Sequence, residues 1–410
     1  MGSKPKKFED KAKKALEKKA SLGTDVDTSG YIFDPEAGDE IADLSSVDVD
    51  FKKTLINVGV DTSEKDRSGT YIQKGNKVGF CKTVSDKVEV LPIAVALEKY
   101  DWLEDYYWKA VKVDTDKYTA ETELAENLQG YFIYAKEGAR DVFPLQSCLF
   151  LDIEGMKQIV HNIIIAEPNA KLNIITGCTV HPNVHKALHL GTSEFYLKEN
   201  SEITFTMVHY WSDESVVRPR TGVIQEANSK FISNYIVMSE VKDLQSNPIT
   251  RLNGDNSSAY FQTLIYGRGN SKIDVGGRAV LSGKNTSAEI ISRVIGDDNN
   301  RTYARGEITG NADGAKGHIE CQGLIISPNA KIDSIPRINA HHPNVSLTHE
   351  AAVGKIADEQ LNYLAARGLG EDEARDLIIS GFLEADTSML PDELAAETER
   401  LIELASEAEG

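Results

Sequence analysis

Short apolar runs separated by polar corners recur along the chain from His161 to Gly354. Each repeat opens with an asparagine, continues through a small or polar residue and enters an apolar, strand-like run. These opening residues are Asn169, Asn200, Asn228, Asn270, Asn285, Asn329 and Asn344. Asparagine adopts left-handed turn conformations at low cost, so each copy is predicted to form a corner at which a strand begins. Self-similarity of this kind favours a β-solenoid over a sandwich or a βαβ sheet.

The spacing of the corners indicates two strands in each coil of a β-helix. The interval from Asn200 to Asn228 equals that from Asn228 to Asn256, and the next interval, to Asn285, is longer by a single position. Asn270 divides this last interval nearly in half. The later intervals are less regular, which predicts insertions near residues 297–317.

Composition divides the chain into four regions. They are an N-terminal helix and acidic linker at residues 1–60, a mixed α/β capping region at 61–130, the parallel β-helix core at 131–354 and a helical region at 355–410. The predicted helices cover residues 8–20, 92–110, 358–367, 371–381 and 391–408. The helix at 92–110 carries an aromatic stripe. We interpret it as a packed cap, because a solenoid must cover its ends.

Charge and composition exclude several classes of partner. The 410 residues are 40% hydrophobic, enough for a core, and the net charge of -19 argues against a general nucleic-acid or anionic-membrane surface. The lysines near the N-terminus alternate with acidic residues and indicate a solvated helix face. No apolar run approaches the roughly 20 residues of a membrane helix, and no signal-peptide core follows the lysines. We therefore expect a soluble, cytoplasmic protein.

The four cysteines lie far apart and are expected to be reduced thiols rather than a disulfide framework. Cys178, His181, His185 and His189 form the densest group of potential metal ligands. Their spacing would suit zinc on a single helix, but Pro182 and the neighbouring strand-like runs favour a loop. The alternative interpretation is a solenoid corner with exposed histidines.

A second group combines Cys321 with the pair His349 and Glu350. The interval from Cys321 to His349 equals the coil length set by Asn200 and Asn228, which predicts neighbouring coils. Adjacent strands lie about 4.8 Å apart, so a thiolate, an imidazole and a carboxylate would converge on one metal ion or cluster edge. The alternative is that Cys321 is a small buried apolar residue of a strand.

Two C-terminal runs, from Thr348 to Leu369 and from Glu373 to Phe382, carry a specific resemblance. Together with Asn285 to Ser292 and Thr302 to Gly306, they resemble the SufB/SufD family of iron–sulfur cluster assembly scaffolds. The resemblance extends from about Tyr71 to the C-terminus. It implies a right-handed parallel β-helix whose C-terminal helices dock an ABC-type ATPase, SufC.

The resemblance also implies roles for individual residues. Cys321 lies where SufB proteins carry a cluster-assembly cysteine, His349 and Glu350 match the SufB His–Glu pair, and His349 also occupies the position of the functional histidine of SufD. Thr348 replaces an acidic residue, and the inner sulfur-relay cysteine of the family is absent, Thr250 being the nearest equivalent. The implied ATPase-docking residues are Tyr363, Arg367, Gly368, Leu377, Ile378, Gly381 and Phe382.

The number of ligands predicts a homodimer. A cluster requires about four protein ligands, with thiolates preferred, and one chain offers a single suitable cysteine with one histidine and one glutamate. A second copy doubles that set, so a nascent, transient iron–sulfur cluster is expected between two scaffold chains, which carry two ATPase chains. A sulfur donor and recipient apoproteins are the further expected partners. The chain itself is expected to be a scaffold rather than an enzyme.

Two other functions fit a β-helix. A carbohydrate-active enzyme would use paired carboxylates on one face of the solenoid. The available ones are Asp274, Glu289, Glu307 and Glu320. A structural solenoid without metal would give a colourless protein after anaerobic reconstitution and would not contact SufC.

Overall fold

The computed structural model describes residues 6–141 and 143–383. Parallel strands in two sheets form a β-solenoid of about eight coils, and each coil contributes one run of strand to each sheet. The predicted fold class is therefore confirmed. The helix predicted at residues 391–408 lies outside the described residues.

The two sheets, here named A and B, contain all the strands of the described chain. Sheet A consists of β3 (Val88–Pro92), β4 (Tyr131–Ala135), β6 (Met156–Ala166), β8 (Ala187–Leu197), β10 (Val216–Val217), β11 (Arg220–Gln225), β13 (Asp243–Ser246), β14 (Ile249–Leu252), β16 (Lys272–Leu281), β18 (Arg301–Gly310) and β20 (Lys331–Ala340). Sheet B consists of β1 (Gly69–Lys74), β2 (Lys77–Thr83), β5 (Leu145–Leu151), β7 (Lys171–Val180), β9 (Glu202–Tyr210), β12 (Lys230–Val237), β15 (Ser258–Gly267), β17 (Ser287–Gly296), β19 (Lys316–Ile325) and β21 (Ser346–Lys355).

A ladder of asparagines follows one corner of the solenoid. Five of them have the predicted left-handed backbone, with φ between 55° and 62°: Asn169, Asn200, Asn228, Asn256 and Asn285. Each side-chain amide from the second to the fifth donates to the amide oxygen of the asparagine one coil earlier, at 3.1 to 3.4 Å. The predicted left-handed backbone is absent at Asn270, Asn329 and Asn344; at Asn270 the preceding Gly269 takes that conformation instead. The ladder fixes the stacking of successive coils along this edge.

The coils nearest the C-terminus are regular, so the predicted insertion near residues 297–317 is wrong. Strands β16 to β21 are of equal length and pair in continuous register. The irregularity lies earlier, where two coils break their sheet A strand into β10 with β11 and β13 with β14. Strands β1, β2 and β3 precede β4, which begins the predicted core at residue 131, and β1 with β2 and β3 with β4 pair antiparallel.

Helices cover the outer faces of the sheets rather than only their ends. They are α1 (Glu9–Ala15), α2 (Val49–Ile56), α3 (Ile93–Lys99), α4 (Lys117–Leu124), α5 (Asp358–Ala365) and α6 (Glu371–Leu383). The aromatic segment predicted as one helix is split into α3 and a 3-10 turn, Asp101–Asp105. Its Tyr107 and Trp108 are buried against sheet A with Phe132 and Tyr196, as a packed cap requires. In the described part of the chain, none of these helices has the length and apolarity to cross a membrane.

A buried carboxylate ties this cap to the solenoid. Glu194 of β8 accepts hydrogen bonds from the backbone N–H groups of Trp108, Ala110 and Val111 at 2.7, 2.6 and 3.0 Å. It also contacts Nε2 of His161 at 2.8 Å, and both side chains are fully buried. The cap loop is therefore held by backbone donors that converge on one side chain, which hydrophobic periodicity does not reveal.

Candidate functional site

Cys321 lies in the interior of the solenoid, one coil before its last. It is 4% exposed and alternates with Glu320 and Gln322, whose side chains point outward from β19. Burial raises the pKa of the Cys321 thiol, and a hydrogen bond with Ser334 of β20, on the opposite wall, offsets part of that rise. The thiol is therefore protonated at neutral pH in this conformation, and sulfur chemistry requires it to be exposed or deprotonated.

Cys321 ends an interior row of polar side chains that sequence reasoning missed. In sheet B the register places Tyr235 beside Thr263, Thr263 beside Ser292 and Ser292 beside Cys321. All four positions are on the inward face. Their spacing along the chain follows the interval between successive asparagine corners, so the repeat itself contained the signal.

His349 lies in the last strand and is exposed at the open end of the solenoid. Its register partner in β19 is Ile319, whereas Cys321 lies opposite Ala351. Cys321 and His349 therefore lie on neighbouring coils, as predicted, but they are not direct register partners, because this coil is longer than the predicted repeat by two positions. The two still share the inward face, since paired positions in parallel strands point the same way. Two positions along a strand and one strand spacing put their Cα atoms roughly 8 Å apart.

The side chain of Glu350 lies on the outer face of β21, opposite to that of His349. Its register partner is Glu320, whose carboxylate lies outside the solenoid and pairs with Arg293 at 2.7 Å. Within one chain, the inward His349 and the outward Glu350 do not converge with Cys321 on one ion. Among the described residues no group of three or more histidine, cysteine, aspartate or glutamate side chains is arranged to hold a metal ion.

The end of the solenoid that carries these residues is open. Strand β20 pairs with β18 and β21 pairs with β19, and within the described residues neither has a strand on its outer edge. Three large apolar side chains are exposed along these two strands, Ile335, Ile338 and Val353. An uncovered edge with apolar side chains is a surface on which another chain can pair.

The predicted docking residues divide between packing and exposure. Ile378 and Phe382 of α6 are partly buried against the outer face of sheet B, in the cluster that contains Leu324. Tyr363 and Leu377 are 58% and 54% exposed. These two side chains are open to a partner, whereas α6 is attached to the coils that carry Cys321.

Two further predicted docking residues form the turn after α5. Arg367 donates to the Tyr363 hydroxyl at 2.6 Å and stacks on its ring. Gly368 has a left-handed φ of 97° and ends the helix, as its predicted role as a helix stop requires. Gly381 lies within α6 rather than at its end.

The group around Cys178 does not form a site in the described structure. Cys178 is buried inside the solenoid, His189 is buried and contacts Oε1 of Gln158 at 2.9 Å, and only His185 matches the alternative of an exposed corner histidine. His181 lies in the turn after β7. The zinc interpretation is therefore not supported.

The carboxylates considered for a carbohydrate-active enzyme are also dispersed. Asp274 and Glu307 belong to sheet A, and Glu289 and Glu320 belong to sheet B. Asp274 is held in an ion pair with Arg305 at 3.0 Å. Carboxylates on opposite sheets cannot flank one glycosidic bond, and Glu320, the sheet B neighbour of Glu289, is held in an ion pair with Arg293 at 2.7 Å, so these four residues offer no two free carboxylates on one sheet.

Comparison with known proteins agrees with this architecture. Residues 150–382 match the family model described as SUF system FeS cluster assembly, SufBD core domain. An iron–sulfur cluster assembly SufBD family protein of Methanothermobacter thermautotrophicus strain Delta H is 47% identical over 96% of this chain and 97% of that protein. One from Archaeoglobus fulgidus is 44% identical over 86% of this chain and 95% of its own length. One from Pyrococcus horikoshii is 30% identical over 90% and 83%.

These similarities cover the whole solenoid and the helices that follow it. The chain belongs to the SufBD family of the SUF system for iron–sulfur cluster assembly.

Proposed function

We propose that this chain is a scaffold on which iron and sulfide are combined into a nascent iron–sulfur cluster, and that the cluster forms between two copies of the chain. The cluster is cargo, to be passed on to recipient apoproteins, and the chain needs no catalytic turnover of its own. The observation that carries the proposal is the position of Cys321 one coil inside an open end, with His349 exposed above it on the same face.

The ligand count supports a homodimer. A cluster takes about four protein ligands, and one chain supplies only Cys321, His349 and Glu350. Two chains paired through the free edges of β20 and β21 supply twice that number around a twofold axis. In such a pair, residues that diverge within one chain can converge with those of the other. A mixed set with few thiolates holds a cluster weakly, which suits release.

A buried thiol requires a conformational step. Cys321 reaches iron or sulfur only if the last coil moves, and helix α6 lies against the outer face of the same sheet. A SufC-type ATPase bound to α5 and α6 would supply the energy for that movement. The exposed Tyr363 and Leu377 are the contacts we assign to it.

An external donor is proposed to deliver the sulfur directly to Cys321, once movement of the last coil has exposed the thiol. Thr250, at the position of the family's relay cysteine, is buried and donates to Oε1 of Gln225 at 2.8 Å. A hydroxyl cannot carry a persulfide. The chain therefore requires delivery to Cys321 without a cysteine at this point.

Anaerobic reconstitution with iron and sulfide tests the proposal. Wild type should retain iron, sulfide and visible absorbance, Cys321→Ala should lose most of both elements, and His349→Ala should lose part. Cys81→Ala is the matched control, since Cys81 is a half-buried thiol remote from the open end. Equal retention by wild type and Cys321→Ala would remove the assignment of Cys321.

Co-purification with a SufC-type ATPase tests the docking surface. Leu377→Asp should reduce the recovered ATPase, because it places a charge in the centre of an exposed apolar contact. Val49→Asp introduces the same change at another exposed apolar position, on α2, and should leave recovery at the wild-type level. Undiminished recovery with Leu377→Asp would show that the ATPase binds elsewhere.

A further inference from the structure

Two arginines lie on adjacent strands of the outer face of sheet A, two positions apart in register and on the opposite sheet from Cys321. Arg251 is in β14 and Arg278 is in β16, and both are half-buried. Arg251 donates to the backbone carbonyl of Ala110 in the cap loop at 2.9 Å, and Arg278 donates to the carbonyl of Asn247 at 3.5 Å. Backbone carbonyls orient the two guanidinium groups but do not neutralise them.

The neighbouring arginines on this face have counterions. Arg220 pairs with Asp116 at 2.6 Å, and Arg305 pairs with Asp274 at 3.0 Å. Among the described residues, neither Arg251 nor Arg278 forms an ion pair. Arg251 and Arg278 thus carry positive charges without a counterion among the described residues. Both are half-buried, and an unpaired charge that is partly removed from water costs free energy.

Hydrogen-bond donors at this place are also unsatisfied. Nε of Arg278 and Nη2 of Arg220 are buried, and within the described part of the chain neither has a hydrogen-bond partner. Buried donors of charged groups are nearly always paired, and an orphan of this kind indicates an absent water or ion. Both orphans belong to cations, which favours an anion.

The charges around Arg278 also make this part of the outer face positive. Burial lowers the pKa of Arg278, Glu307 opposes that shift, and the charges of Arg251 and Arg220 add to it. Glu307 is the register partner of Arg278, but it forms its ion pair with Arg337, at 3.9 Å. The carboxylate nearest in register is therefore shared with Arg337 and compensates Arg278 only in part.

We propose that Arg251 and Arg278 bind an anion of the phosphate class on the outer face of sheet A. Planar guanidinium groups donate pairs of parallel hydrogen bonds that match phosphate oxygens. A local positive site in a chain with net charge -19 is specific, because the rest of the surface repels anions. The proposal does not depend on the cluster-assembly function, which uses the other sheet and the open end.

Calorimetric titration of the full chain with inorganic phosphate, and separately with ATP, tests the proposal at constant ionic strength set with chloride. Arg278→Gln and Arg251→Gln should each weaken binding by about tenfold or more, since each removes charge-assisted hydrogen bonds. Arg301→Gln is the matched control: it removes an exposed arginine of the same face, one that pairs with Asp333, and should leave the affinity unchanged. Tighter binding of ATP than of phosphate would identify a nucleotide as the source, and equal binding would identify free phosphate.

A further variant tests the proposal by a gain of affinity, which misfolding of the variant cannot produce. Glu307→Gln removes the carboxylate registered with Arg278 and should strengthen phosphate binding several-fold. Absence of binding by wild type overturns the proposal, as does equal affinity of Arg278→Gln and Arg301→Gln. Unchanged affinity in Glu307→Gln counts against it in the same way.

Discussion

Ser334 of β20 and Cys321 of β19 meet across the interior of the solenoid, one from each sheet. Burial raises the pKa of the thiol, and the Ser334 hydroxyl lowers it by stabilising the thiolate. Because both strands lie in the last two coils, this contact links the reactivity of Cys321 to the position of the terminal coil.

We expect Ser334→Ala to slow alkylation of Cys321 by iodoacetamide at pH 8. Loss of the hydroxyl raises the thiol pKa further, so the thiolate fraction at a fixed pH falls and the rate falls with it. Peptide mass spectrometry measures the rate for each cysteine separately. Cys148, which is fully buried, reports on the fold and should stay slow in both proteins. A faster reaction at Cys321 alone would contradict the assigned hydrogen bond.

The uncovered edge of β20 and β21 leads to a prediction about self-association of the chain. Val353→Lys should weaken the proposed dimer. The twofold axis brings two lysines into the interface, one from each chain, and a lysine on an edge strand opposes pairing with another strand. Light scattering after gel filtration over a concentration series measures the change, which should be about tenfold or more in the dissociation constant. Ile153→Lys alters an equally exposed apolar residue far from this edge and serves as control. Dimers of unchanged stability in Val353→Lys would place the interface elsewhere.

The fold followed from the sequence because its signal is repeated. The asparagine corners predicted the solenoid, and five of them have the left-handed backbone that the prediction required. The site was predicted less well, because the register between two strands depends on the exact number of residues in the coil that joins them. A last coil of the predicted length would make Cys321 and His349 register partners, whereas the actual coil is longer and places Ile319 opposite His349. The two additional positions leave His349 on the inward face, because side chains alternate with a period of two, but they change its register partner from Cys321 to Ile319.

Long-range polar contacts also escape sequence patterns. Nothing local indicates that the backbone of residues 108–111 converges on Glu194, which comes much later in the chain. The same holds for Arg251 and Arg278, which form no ion pair with any described residue, because ion pairing depends on which carboxylates the neighbouring strands bring. Spacing along the chain predicts the sheet and the face of such residues, and only the assembled coils define their partners.

Glu194→Gln should destabilise the protein by about 3 kcal/mol, because one accepting oxygen becomes an amide that faces a backbone N–H and the buried pair with His161 is lost. Urea unfolding measures the change. Glu226→Gln is the matched control: Glu226 pairs with Lys198 at the surface, so its loss should cost less than about 1 kcal/mol. Equal midpoints for the two variants would show that the cap does not depend on Glu194.

The interior histidines predict how stability depends on pH. Burial lowers the pKa of His209 to about 3, with a smaller contribution from the charge of His189, and burial lowers the pKa of His189 to about 4. Unfolded histidine takes its proton near pH 6.5, so below that pH the unfolded state binds more protons than the folded state. Stability is therefore fully present above the unfolded pKa and falls as the pH drops, by about 2 kcal/mol per histidine between pH 7 and pH 5.

His209→Gln separates this effect from the titration of the many carboxylates. Trp211 donates its indole N–H to Nδ1 of His209 at 2.9 Å, and the glutamine oxygen can accept that hydrogen bond without titrating. The variant should lose about 2 kcal/mol less than wild type when urea unfolding at pH 7 is compared with pH 5. His185→Gln, which removes an exposed histidine, should follow wild type. If His209→Gln loses as much stability as wild type over this range, His209 is protonated in the folded chain and the interior is wetter than its burial implies.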